Sequence, residues 1–372
     1  MSKPLVQLTA LGQSPWYDFI TRDLVHSGEL ARLVREEGLR GMTSNPTIFE
    51  KAITGSSDYD ADMKALGQKK PAEIVEALMI ADVQAACDVF RPLYDAAGNG
   101  DGAVSIEVAP TLAHDTTGTI TEAERLWERV ARPNVMIKVP GTKAGLPAIT
   151  HLIARGINVN ITLLFSVARY REVIDAFSDG LMARIAKGLP IDGIHSVASF
   201  FVSRVDGMTD KALAGGGKKQ KAGKRLLHKI AIANALDAYG VFRESLETDR
   251  WKTLAKHGAH VQRPLWASTS TKDPSLPDTY YVDALIAPET VNTIPPATWD
   301  AYADHGKPEI RITDETIAAA RAELAAYAQL DVPSLEAITK ELEDEGVEKF
   351  AASWNELLGA VRKQVEALSK AG

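Results

Sequence analysis

Short apolar segments alternate with longer amphipathic ones along most of this chain, and that rhythm limits the folds open to it. The β-rich segments are Pro15–Ile20, Leu39–Ser44, Ala103–Ala109, Val135–Val139, Ile157–Phe165, Val197–Val202, Val261–Thr269 and the weaker Val291–Ile294. Helical spacing fills the gaps: Asp23–Glu37, Thr119–Val130, Leu146–Ala154 closed by Gly156, Val167–Lys187 and Lys224–Glu247. Thr121 and Glu124 have capping-box spacing. Alternation of this kind implies a parallel sheet. Eight strand candidates favour a closed (β/α)8 TIM-type barrel over an open doubly wound sheet. No G-x-G-x-x-G follows the first strand, which weakens a dinucleotide-binding reading.

From Asp314 onward the pattern is helical, in three runs: ETIAAARAELAAYAQL, PSLEAITKELEDEG and FAASWNELLGAVRKQVEALS. These read as an extension, about 314–372, packed on a barrel core of about 14–300. Residues 1–372 then form one domain. With 372 residues, the chain can bury a large core without disulfide or metal staples. Its one cysteine, Cys87, excludes an intramolecular disulfide and suits the cytoplasm. A net charge of -7 disfavours nucleic acid as a partner. No secretory signal and no membrane-length apolar run is visible, so no membrane partner is expected. The stretch Gly215–Lys224, GGGKKQKAGK, reads as a solvated loop. It fails as a phosphate loop, because Lys218 stands five before Gly223 and Arg225 follows Lys224. His257 and His260 share a helical face but have no further ligands beside them, so no metal site is read there.

Strands of a parallel barrel are buried on both faces and should be almost continuously apolar. Several strands here are not, mostly near their C-terminal ends. Asp18 interrupts WYDFI, Glu107 interrupts SIEVA, and Lys138 interrupts MIKVP. Asn158, Asn160 and Thr162 share one parity in INVNITLLF, leaving Val159, Ile161 and Leu163 to the helix side. Ser199 sits in the next strand and Arg204 follows it. Any one of these alone would be an ordinary salt bridge, turn or strand residue. Together they converge where barrel active sites lie.

Lys138 is the sharpest clue. It is a single cation among Val135, Met136, Ile137 and Val139. Apolar surroundings disfavour an ammonium, and a neutral amine can form a Schiff base with a carbonyl substrate. Such an imine is an electron sink that lets an adjacent C–C bond break. The chemistry also needs a carboxylic acid/base, for which Asp18 and Glu107 are the candidates. Asn45, Asn160, Thr162 and Ser199 offer groups for substrate hydroxyls or a water. Arg204, and the turn Ser268–Thr271 with Lys272, offer groups for a phosphate.

These residues sit in segments that resemble the transaldolases, class I Schiff-base enzymes of the pentose phosphate pathway. GMTSNPTIF (Gly41–Phe49) and VMIKVPGTKAGLPAI (Val135–Ile149) resemble the family's two signatures. SIEVAPTLAHDT, GINVNITLLFS and ASFFVSRVD align in order and spacing. The resemblance spans roughly Ser14–Thr271 and is strongest to the longer bacterial branch; the C-terminal helices match only in general character. It implies a (β/α)8 barrel working without a cofactor, as a monomer or homodimer, on sugar phosphates. It implies transfer of a dihydroxyacetone unit from sedoheptulose 7-phosphate to glyceraldehyde 3-phosphate, giving erythrose 4-phosphate and fructose 6-phosphate.

By motif, Lys138 is the imine former and Asp18 the acid/base at C–C cleavage. Glu107 activates a water that Thr162 also holds. Asn45, Asn160 and Ser199 hold the dihydroxyacetone hydroxyls, Phe201 lines the pocket, and Arg204 and Ser268 grip the phosphate. Shorter relatives carry an arginine just after Ser268, where the nearest cation here is Lys272. A simple aldolase that releases dihydroxyacetone is the alternative, but such relatives tend to carry tyrosine near Phe201 and glutamine for Glu107. A catalytically inactive sugar-phosphate-binding barrel is the third reading, and it gives Lys138 no purpose.

Overall fold

A computed structural model of the chain describes residues 3–98, 100–215 and 223–370. Most of the Gly215–Lys224 stretch lies outside them. Eight parallel strands close into a barrel in sequence order. They are β1 (Gln13–Tyr17), β2 (Gly41–Met42), β3 (Ala103–Glu107), β4 (Val135–Pro140), β5 (Val159–Leu164), β6 (Ser196–Phe201), β7 (Gln262–Ala267) and β8 (Thr290–Ile294). Every expected strand is present. β2 is shorter than its sequence segment, and the Trp16 ring packs against it where a Cβ on Gly41 would clash.

The helices are α1 (Pro4–Ala10), α2 (Arg22–His26), α3 (Glu29–Glu36), α4 (Pro46–Thr54), α5 (Asp60–Ala65), α6 (Pro71–Ala97), α7 (Thr116–Val130), α8 (Gly145–Arg155), α9 (Val167–Ala186), α10 (Ser203–Ala214), α11 (Ile230–Leu246), α12 (Asp249–Lys256), α13 (Tyr280–Ala284), α14 (Pro296–His305), α15 (Asp314–Ala328) and α16 (Leu335–Lys370).

Three expectations need correction. The run Asp23–Glu37 is two helices, parted at Gly28, whose φ of +89° favours glycine. The Thr121–Glu124 capping box does not form. Helix α7 starts earlier, because the Asp115 carboxylate caps it by accepting from the Gly118 N–H at 2.9 Å. Thr121 lies inside the helix and donates to the Thr117 carbonyl. The last two C-terminal runs fuse into one 36-residue helix, about 54 Å long. Gly346 does not interrupt it. A Cβ there would meet a Leu163 methyl at 2.9 Å, so the glycine lets α16 sit down on β5.

Helix α16 crosses the C-terminal mouth of the barrel and packs on α4, α5, α6, α10 and β5. Polar ties hold it along its length. Glu343 faces Arg169 at 3.6 Å, Thr47 donates to Ser353 at 2.8 Å, and Gln364 donates to Asp60 at 3.0 Å. The extension is therefore part of the wall around the site.

Candidate functional site

Register sets the centre of the site. Across neighbouring strands, Glu107 pairs with Lys138 and Lys138 with Asn160, so three polar residues form one row. All three are buried. Two residues earlier, just before β5, Asn158 serves the opposite end of the barrel. Its amide donates to the Pro133 and Val135 carbonyls and its oxygen accepts from the His195 N–H. Shared parity with Asn160 therefore does not bring Asn158 to the site, because two strand residues span about 6.6 Å. The alternation also ends early. A register shift between Ile161 and Leu164 leaves Leu163 at φ +61°, against α16 and away from the outer helices.

The Lys138 amine is not in apolar surroundings, which corrects the expectation drawn from its strand neighbours. Those neighbours alternate away, and the Nζ ends among polar groups. Glu107 Oε2 is 3.3 Å away, and Nζ donates to the Ser44 carbonyl at 3.2 Å. Burial raises the Glu107 carboxyl above the usual carboxylate range, with the Lys138 charge pulling it back. Asp18 stands just past β1, and the Thr43 hydroxyl donates to it at 3.0 Å. Burial raises its carboxyl too, against Lys138, the Thr43 hydrogen bond and Arg204. Two carboxyls thus stand beside one amine at the bottom of the barrel mouth.

Among the described residues Thr162 Oγ1 makes no hydrogen bond, and Glu107 Oε2 makes none beyond its 3.3 Å ion pair with Lys138. Buried polar atoms are rarely left so. A third is Arg204 Nη1. Arg204 lies 5.4 Å from the Phe201 ring centroid and makes no ion pair or hydrogen bond among the described residues. Burial lowers its pKa, and Glu345 and Asp18 only partly offset that. A buried guanidinium without a partner is a ready anion site.

These groups surround an open cavity of about 850 Å³. Asp18, Asn45, Lys138, Thr162, Ser199, Phe201, Arg204, Ser268 and Lys272 all line it. Asn45 also caps α4, its oxygen accepting from the Ile48 N–H at 2.9 Å, which leaves its amide NH₂ to offer. Ser268, at φ +58°, shares a 2.9 Å hydrogen bond with Ser203. Lys272 donates to Ser270 at 3.1 Å. Asn160 and Glu107 are not on the cavity wall. Asn160 lies beneath it, donating to Ser105 at 3.0 Å and accepting from Ser199 at 2.7 Å. One N–H of its amide remains beyond the bond to Ser105, and the register sets Asn160 beside Lys138 beneath the cavity.

Sequence reasoning passed over Thr43, Ser44, Thr47 and Lys51, although all but Lys51 lie inside the quoted GMTSNPTIF segment. It also passed over Phe350, whose ring centroid lies 5.9 Å from the Lys138 Nζ. No pattern in α16 marks that residue.

The fold and the site define a closed parallel barrel with a buried amine beside two carboxyls. The family model described as Transaldolase/Fructose-6-phosphate aldolase matches residues 15–361. The match runs well into α16, further than the motifs alone reach. A protein named Transaldolase from Parafrankia sp. (strain EAN1pec) is 49% identical over 98% of this chain and 99% of its own length. Another of that name, from Acidothermus cellulolyticus, is 50% identical over 98% of each chain. A third, from Thermobifida fusca, is 48% identical over 99% of this chain and all of its own. The chain belongs to the transaldolase/fructose-6-phosphate aldolase family. No helix among the described residues is long and apolar enough to cross a membrane.

Proposed function

We propose that this enzyme is a transaldolase. It moves a dihydroxyacetone unit from sedoheptulose 7-phosphate to glyceraldehyde 3-phosphate, through an imine on Lys138, and yields erythrose 4-phosphate and fructose 6-phosphate. The observation that carries the reading is the Lys138 amine, 3.3 Å from Glu107 in a cavity shared with Asp18 and Arg204.

The steps follow from where the groups lie. The donor phosphate sits against Arg204, Ser268 and Lys272, which turns the ketose carbonyl toward Lys138. The amine adds to that carbonyl, and a water held between Glu107 and Thr162 relays the protons as water is lost. Among the described residues the Thr162 hydroxyl has no partner, and Glu107 Oε2 has only its ion pair with Lys138. Asp18 then takes the proton of the donor's C4 hydroxyl, the C3–C4 bond breaks, and its electrons enter the imine. The aldose phosphate leaves, and the three-carbon enamine stays on Lys138. An incoming aldehyde accepts the new C–C bond and takes its proton back from Asp18. Hydrolysis, with Glu107 acting through the same water, frees the product. Asn45 and Ser199 hold the hydroxyls of the three-carbon unit, with Phe201 as the pocket wall.

Borohydride trapping with fructose 6-phosphate, followed by peptide mass mapping, tests this. A reduced dihydroxyacetone adduct on Lys138 is expected. An unmodified Lys138 in folded, phosphate-binding protein would sink the reading. A paired assay with and without aldehyde acceptor then separates transfer from simple release.

A further inference from the structure

Helix α16 buries Ile338, Leu342, Phe350, Leu357 and Val361 along its length, and of these Phe350 reaches the cavity. Phe350 is 6% exposed, lines the same cavity as Lys138, and faces the amine at 5.9 Å. Its place is fixed from both sides. One turn earlier, Gly346 seats the helix on Leu163. One turn later, Ser353 accepts the Thr47 hydroxyl of α4, the helix that carries Lys51 on the cavity wall.

We propose that Phe350 is a specificity-determining residue that keeps the bound three-carbon unit for an aldehyde acceptor. This rests on the transfer reading above. After C–C cleavage the enamine carbon C3 lies two bonds from Nζ, within reach of the ring, and has two fates. In transfer, C3 bonds to the acceptor's aldehyde carbon and the aldehyde oxygen takes a proton. In release, C3 takes a proton from solvent. Water then adds at C2, the C2–Nζ bond breaks, and dihydroxyacetone leaves with the amine restored. Hydrolysis uses the water near Glu107 in both fates, so the protonation of C3 decides between them. An apolar ring on the solvent side of the amine withholds that proton source while leaving the Glu107 side open. A wide cavity needs such a cover, because the acceptor site is empty between cleavage and transfer.

The test is the ratio of free dihydroxyacetone released to sedoheptulose 7-phosphate formed, from fructose 6-phosphate with erythrose 4-phosphate as acceptor. Phe350→Ala is expected to raise that ratio about tenfold, the scale of one hydrophobic contact in a binding pocket. Phe350→Trp, which keeps the cover, should leave it within about twofold. If the alanine variant does not fold, Phe350→Leu carries the same expectation with a smaller rise. A ratio unchanged in Phe350→Ala or Phe350→Leu, in protein that still traps the adduct on Lys138, overturns the proposal. Failure of the unsubstituted enzyme to trap any adduct overturns the transfer reading itself, and this inference with it.

Discussion

At the N-terminal end of the barrel, Arg263 donates to Asp101 at 3.0 Å, to the Thr290 carbonyl at 2.8 Å and to the Ser14 hydroxyl, which in turn donates to Asp101 at 2.6 Å. At the C-terminal end, Arg204 has an aromatic ring beside it and no ion-pair partner among the described residues. Both guanidiniums are largely buried. One is committed to neighbours that hold the strands together, and the other faces the cavity. The same contrast separates Asn158, tied to three backbone groups, from Thr162, whose hydroxyl has no partner among the described residues. Buried polarity in this barrel is therefore of two kinds. The kind is read from whether the group's hydrogen bonds are already spent.

Substitutions at the two ends should separate along that line. Lys138→Met is expected to abolish transfer, by about 10⁴-fold or more, and borohydride trapping with it, while the melting temperature holds. A steady-state assay beside a thermal melt decides; residual turnover near the parent level would break the assignment. Asp18→Asn should cost about 10²–10³ in cleavage of fructose 6-phosphate, yet dihydroxyacetone should still be trapped on Lys138. Because burial raises the Asp18 carboxyl, the parent's acid limb in kcat/KM should lie above the ordinary carboxylate range.

The two arginines sharpen the comparison further. Arg263→Met strands Asp101 as a buried charge and should destabilise the fold by about 3–5 kcal/mol, leaving KM alone once folded. Arg204→Met removes a cation that has no ion-pair partner among the described residues. It should raise KM for sugar phosphates by the loss of about 2–3 kcal/mol of charge-assisted hydrogen bonding, with little change in urea midpoint. Equal effects of both changes on stability would dissolve the distinction.

The smallest effect concerns His195, at the N-terminal end, stacked on His260 at 4.5 Å. Burial, with His260 and Arg263 nearby, lowers its pKa to about 4 from 6.5. The unfolded chain takes up this proton first as pH falls, so the stability that His195 contributes is present above 6.5 and is lost toward 4. Between pH 7 and pH 5.5 the loss is about 1 kcal/mol. Denaturant titrations at the two pH values should show a shallower loss in His195→Phe than in the parent.

The rhythm of strands and helices was legible because burial period and turn chemistry are local properties. It located all eight strands. It also exposed Asp18, Glu107 and Lys138, since a charge inside a barrel strand is costly enough to stand out. Element starts were less legible. Asp115 outcompetes Thr121 as a cap through hydrogen bonds that sequence spacing does not rank. Helices α4, α5 and α6 between β2 and β3 were not singled out either.

What the sequence determined by itself was the alternation, the set of charged residues breaking it, and the motifs that carry the family likeness. Tertiary structure decided which of those residues meet. Only the closed register pairs Glu107 with Lys138, places Asn160 beneath Ser199, and sends Asn158 to the other end. Only the path of α16 brings Phe350, more than two hundred residues away in the chain, to within 5.9 Å of the reactive amine. Periodicity reports which face of an element is buried. It carries no information on which distant element buries it, because that depends on loop paths and on small contacts such as Gly346 against Leu163.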